Sequence, residues 1–122
     1  MKKKLTTEED YRLRVDRVCM YIREHLDKEI DKRRLAVLSA FSPFHFHRIM
    51  RAYLKEPIGA FIIRTRVETA AKLLRYTDLP VADIAYRVGY DTPSSLTKSF
   101  CKLFGISPKM YRLTKNYQMM TT

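Results

Sequence analysis

Apolar side chains recur along this chain with the period of a helix, and nowhere with the alternation of a strand. Thr6, followed three positions later by Glu9, forms a capping box that opens a first helix. Tyr11, Val15, Val18, Ile22 and Leu26 give that helix one apolar stripe; Arg12, Arg14, Arg17, Arg23 and Glu24 lie off it and read mainly as a solvated face. Asp31 is a good N-cap for a second helix, Lys32 to Ser39, with Leu35, Ala36 and Leu38 turned inward. After a turn at Ala40-Phe41, Ser42-Pro43 supplies a hydroxyl cap and a proline at the first helical position. The third helix then runs to about Lys55. Its core positions are Phe46, Ile49, Met50, Tyr53 and Leu54, and its opposite face carries His45, His47, Arg48 and Arg51.

The longest periodic segment spans Ile58 to about Tyr76, where Ile58, Phe61, Ile62, Val67, Ala70, Ala71 and Leu74 allow burial on more than one side. Thr77-Asp78-Leu79-Pro80 ends it, because proline disfavours helix at the preceding residue. A short helix from Val81 to Val88, a tight turn at Gly89-Tyr90-Asp91 and a helix from Pro93 to Phe104 follow. Gly105 stops that helix, and Ser107-Pro108 restarts a short one. Two helices joined by a short turn containing glycine make a helix-turn-helix, whose second helix enters the DNA major groove.

The same arrangement occurs twice. Ala36, Ala40 and Phe41 align with Ala85, Gly89 and Tyr90; after one extra residue in the second turn, Phe46, Arg48, Met50, Leu54 and Phe61 align with Leu96, Lys98, Phe100, Phe104 and Tyr111. The helix between the two units extends roughly 28 Å at 1.5 Å per residue. Recognition helices in successive major grooves on one duplex face sit about 34 Å apart, and a rigid connecting helix can set such a spacing.

Composition narrows the partner. Of 122 residues, 24 are Lys or Arg and 13 are Asp or Glu, for a formal net charge of +11 that favours a polyanion. No apolar run is long enough for a membrane span, and Lys2 to Lys4 precede Leu5-Thr6-Thr7 rather than a signal core; the expected location is the cytoplasm. Cys19 and Cys101 fit neither a metal site nor a disulfide framework. No paired carboxylates, phosphate loop or nucleophile motif points to an enzyme, and no cofactor or metal is expected. His45 and His47, two apart, face different sides of a helix and lack a third ligand at suitable spacing.

Ile84-Ala85, Val88-Gly89-Tyr90, Leu96, Phe100, Phe104-Gly105, Ser107-Pro108 and Tyr111-Arg112 together resemble the signature of the AraC/XylS family of bacterial transcription regulators. The resemblance implies an all-α, homeodomain-like fold of seven helices: two helix-turn-helix subdomains joined by a long central helix. On this reading residues 1–7 are a mobile basic lead, residues 8–113 the DNA-binding domain and residues 114–122 a frayed tail. The first helix-turn-helix lies at about 31–55, the linker helix at 58–76 and the second helix-turn-helix at about 80–104. The stretch Phe41-Ser42-Pro43-Phe44-His45-Phe46-His47-Arg48-Ile49 is similar to a subgroup in which a GyrI-like effector-binding domain follows. The sequence shows no such domain after the signature, and two expectations stand: a chain cut from a longer one, which is preferred, or a chain similar to the family's short stand-alone activators; an effector ligand is expected only if that domain exists. Double-stranded DNA is the expected partner, with RNA polymerase implied by the resemblance. The alternative is a basic helical module for an acidic protein or membrane surface.

Arg48 can fork to O6 and N7 of a guanine, and His47 beside it offers a donor and an acceptor. Phe44 either meets a thymine methyl or the sugar backbone, or packs as a hydrophobic staple. In the second recognition helix, Ser94, Ser95, Thr97 and Lys98 face outward, and Leu96, Phe100 and Leu103 inward. Arg51, Lys102, Lys109 and Arg112 are candidates for phosphate contacts. Ala40 stands where the family usually has glycine, so a positive φ there carries strain of about 1 kcal/mol.

Overall fold

A computed structural model describes residues 4–121, with side chains placed through residue 114. The leading residues 1–3 of the basic lead lie outside it. Seven helices make up the described residues: α1 (Thr7–Glu24), α2 (Lys32–Ser39), α3 (Pro43–Leu54), α4 (Ile58–Tyr76), α5 (Val81–Arg87), α6 (Pro93–Phe104) and α7 (Pro108–Thr121). The last continues through the stretch that the sequence reads as a tail. No helix among the described residues is long and apolar enough to cross a membrane.

The chain divides into two compact units. In the first, α1 packs on α2 and α3. The capping box at Thr6 and Glu9 is formed, with the Glu9 amide donating to Thr6 Oγ1 at 3.1 Å. Val15, Val18 and Ile22 of α1 are buried with Leu35, Ala36, Phe46 and Met50. Leu26 is buried as well, but it lies beyond the end of α1 and groups with the second unit. Leu38 is only half-buried; Ser39 takes the inner position, its hydroxyl bonded to the Ala36 carbonyl and the Phe41 amide.

The second unit centres on Val67, Ala70, Ala71 and Leu74 of α4, packed with Ile84, Ala85, Val88, Leu96 and Phe100. Phe100 and Phe104 of α6 stack, and Tyr111 of α7 meets the first edge-on and the second at a tilt, joining the two helices. Leu103, expected to face inward, is 48% exposed. Its helical phase is right, but it sits in the last turn of α6, where the inward direction is no longer covered.

Backbone conformation records the repeat. Among the described residues, four have positive φ: Ala40 (59°), Lys55 (64°), Gly89 (98°) and Gly105 (77°). Ala40 and Gly89 end the first helix of each helix-turn-helix, while Lys55 and Gly105 are the C-caps of α3 and α6. Each pair occupies equivalent positions in the aligned halves. Ser42-Pro43 and Thr92-Pro93 likewise open α3 and α6, so caps, prolines and left-handed stops all repeat.

Candidate nucleic-acid interface

α3 is fixed at both ends and along one side. Ser42 Oγ accepts from the Phe44 amide, Pro43 needs no donor at the first position, and Lys55 closes the last turn through the Arg51 carbonyl. Phe46 and Met50 are fully buried, which fixes the helix's rotation about its own axis. The face left outside carries Phe44, His45, His47, Arg48 and Arg51, all exposed. No carboxylate occurs in α3, so nothing on the helix itself neutralises its two guanidinium groups. The start of the helix borders a recess of about 330 Å³, lined in part by Ser42, His45 and Arg48.

The structure excludes one of the two readings of Phe44, the hydrophobic staple. Its ring is 92% exposed and touches only the edge of His45 among the ring contacts of the described residues, so it is no staple. An aromatic group held in water on a helix that carries two guanidinium groups is available to a ligand. His47 is held differently, with its ring edge-on to the buried Phe46 at 5.2 Å. That contact limits the directions in which its nitrogens can point.

In the second unit, Thr92 is the N-cap of α6 and receives the Ser95 amide at 3.1 Å. Thr92 also donates its hydroxyl proton to Ser95 Oγ at 3.0 Å, so Ser95 is partly occupied by the cap. Thr92 was legible only as the counterpart of Ser42 in the repeat. Ser94, Lys98 and Lys102 are exposed, whereas Thr97 is half-buried and less available than its phase implies. The two helices therefore present different chemistry: guanidinium, imidazole and phenyl groups on α3, hydroxyls and ammonium groups on α6.

Two arginines depart from expectation. Arg112, a candidate phosphate ligand, instead donates from Nε to the Leu74 carbonyl at 3.1 Å and from Nη2 to the Thr77 carbonyl at 3.2 Å. It satisfies carbonyls that the end of α4 leaves unpaired. Arg14 lies off the α1 stripe but is not a solvated charge; its side chain is 20% exposed and bonds to the end of α2. Neither role was visible in the sequence, because both partners are distant along the chain.

A helix-turn-helix domain model matches residues 35–114, from within α2 into α7. The chain belongs to the AraC-type helix-turn-helix family. It is 33% identical over 100 residues to the transcriptional activator AarP of Providencia stuartii, covering 82% of this chain and 74% of AarP. It is 35% identical to the F1 operon positive regulatory protein of Yersinia pestis over 81% of this chain, but spans only 33% of that regulator. Among solved structures, the DNA-binding domain of the global transcriptional factor AdpA, in complex with a target DNA, superposes with a TM-score of 0.80 at 29% identity. That match covers 85% of this chain and 94% of the AdpA domain. The C-terminal domain of AraT, a response regulator of Geobacillus stearothermophilus, gives a TM-score of 0.76 at 32% identity, covering 92% of this chain and 88% of that domain.

Proposed function

We propose that this AraC-type domain binds double-stranded DNA sequence-specifically, as the DNA-reading part of a bacterial transcription regulator. The observation that carries the reading is the outer face of α3. A helix pinned by buried Phe46 and Met50 turns Phe44, His47, Arg48 and Arg51 together to solvent, with no acidic residue among them. Such a face suits the major groove, where Arg48 can pair with a guanine and Phe44 can meet a thymine methyl. Lys98, Lys102 and Ser94 on α6, with the partly occupied Ser95 and half-buried Thr97, suit a second and less discriminating segment. The net charge of +11 supports affinity for phosphates generally. RNA polymerase as a second partner, and the bacterial cytoplasm as the setting, follow from the same reading.

Selection of bound sequences from a random duplex pool tests this directly. One preferred site should emerge, with one strongly specified segment and a permissive one about a helical turn away. If six to ten phosphates are neutralised, log K against log[salt] should have a slope of about −5 to −9. No enrichment, coupled with equal or tighter binding to anionic lipid vesicles, would refute the reading.

A further inference from the structure

Arg14 engages several groups of the first unit at once. Its Nε donates to the Ser39 carbonyl at 2.7 Å, and its Nη2 donates to the Ala40 carbonyl. Nη1 holds Asp10 at 3.2 Å, one turn earlier on α1. The guanidinium lies 3.9 Å from the centroid of the buried Phe41 ring, which in turn meets Tyr11 edge-on at 4.9 Å. One planar group thus ties α1 to two successive carbonyls of the turn between α2 and α3. Lysine, a point charge on a flexible stem, cannot reproduce that fork.

The clamp falls on the residue of this turn that carries an unfavourable backbone. Ala40 adopts φ 59°, a conformation that glycine reaches freely and alanine does not, and the equivalent residue of the second turn is glycine. From Ala40 the chain needs only Phe41 and Ser42 before α3 begins at Pro43. The Phe41 amide is itself held by Ser39 Oγ at 3.1 Å, within the same small group of bonds. A change in the turn is therefore transmitted to α3 through two residues that are each already fixed.

We propose that Arg14 is a positioning residue for DNA reading: by holding the strained Ala40 turn, it sets the angle at which α3 presents Arg48 and His47. The proposal rests on the DNA-binding function proposed above. It assigns Arg14 no contact with DNA.

The test uses the full chain and a duplex site selected by the wild-type protein. Arg14→Lys, Ala40→Gly and the double variant are compared with wild type, each confirmed folded by circular dichroism at the assay temperature. Affinity is measured on the selected site and on two versions in which one segment at a time is randomised. Arg14→Lys should lose about tenfold of the discrimination at the segment read by α3, the worth of one misaligned base contact. Discrimination at the α6 segment should stay within about twofold. Ala40→Gly should return most of the loss in the double variant, because glycine holds the turn without the clamp. Full discrimination in Arg14→Lys, equal loss at both segments, or no recovery by Ala40→Gly would overturn the proposal. Amide exchange at Phe41 and Phe44 gives a readout that needs no DNA, and should quicken in Arg14→Lys. If wild type showed no sequence preference, the DNA reading would fail and the positioning role with it; quickened exchange would then establish the clamp alone.

Discussion

Gly89 and Gly105 both have positive φ, yet replacing each with alanine should have very different consequences. At Gly105 (φ 77°) a Cβ would meet nothing within 4 Å. The cost is the left-handed strain alone, about 1–2 kcal/mol, reduced by about 0.4–1 kcal/mol because the unfolded chain also loses freedom. A net loss of about 1 kcal/mol is expected. At Gly89 (φ 98°) the same Cβ would stand 1.9 Å from the Leu26 carbonyl oxygen and 2.9 Å from Arg66 Nε. Ordinary contact needs about 3.5 Å, so the backbone carbonyl must retreat by about 1.5 Å. Overpacking of this kind adds about 1–3 kcal/mol. The retreat also threatens the bond from Arg66 Nη2 to the Lys28 carbonyl, 3.1 Å in the native arrangement and exposed to solvent, worth about 0.5–1.5 kcal/mol. Gly89→Ala should therefore cost about 3 kcal/mol, against about 1 for Gly105→Ala. In urea titrations followed by far-ultraviolet circular dichroism, that difference separates the midpoints by about 1 M or more. Variants with midpoints closer than about 0.3 M would show that the turn relaxes without resistance, and would refute the account of why glycine stands there.

On a selected DNA site, Arg48→Ala should cost about 1–3 kcal/mol and relax preference at one base, whereas Lys98→Ala should weaken all sequences alike and flatten the salt slope by about one. Separate titrations on each randomised segment check both, and equal information in the two segments would defeat the unequal reading. Replacing each thymine of the site by uracil removes its 5-methyl group; one such replacement should weaken wild type but leave Phe44→Ala unchanged, and parallel losses in both would remove Phe44 from base reading. The buried Cys19 should react with a bulky thiol reagent far more slowly than Cys101, and modification of Cys101 on α6 should weaken DNA binding; full affinity after confirmed labelling would contradict the latter. Burial pushes the Cys19 thiol above its ordinary value, so the unfolded chain loses this proton first. The Cys19 contribution to stability should persist at neutral pH and fall as pH rises through the thiol range, a fall that Cys19→Ala should remove in alkaline unfolding titrations.

Local signals accounted for most of the fold. Caps, prolines and apolar spacing placed α2, α3, α4 and α6 within a residue or so, since each signal acts within one or two turns. The resemblance to the family puts a glycine where Ala40 stands, and Ala40 does adopt a positive φ there. The exposed face of α3 was legible for the same reason: its opposite stripe could only be core. What escaped depends on residues brought together from afar. Arg14 meets carbonyls 25 and 26 positions away, and Arg112 meets carbonyls 38 and 35 positions away, so their charge alone read as surface. Leu103 shows the complementary limit, because periodicity gives a side chain's direction but not whether another helix lies across it. Lys55 offered no hint of its left-handed φ beyond its match to Gly105.

The boundary between the two units falls inside α4, between Ile62 and Ile63, and Leu26–Lys28 belongs to the second unit although the first surrounds it in sequence. The units are thus interleaved like pages of two booklets under one binding. A single cut of the gene between Ile62 and Ile63 would keep every residue of the first unit, but it would leave the second without Leu26–Lys28. Exchange of recognition halves between relatives would need its crossover within the α4 codons, in helical register, and would still have to import the Leu26–Lys28 triplet.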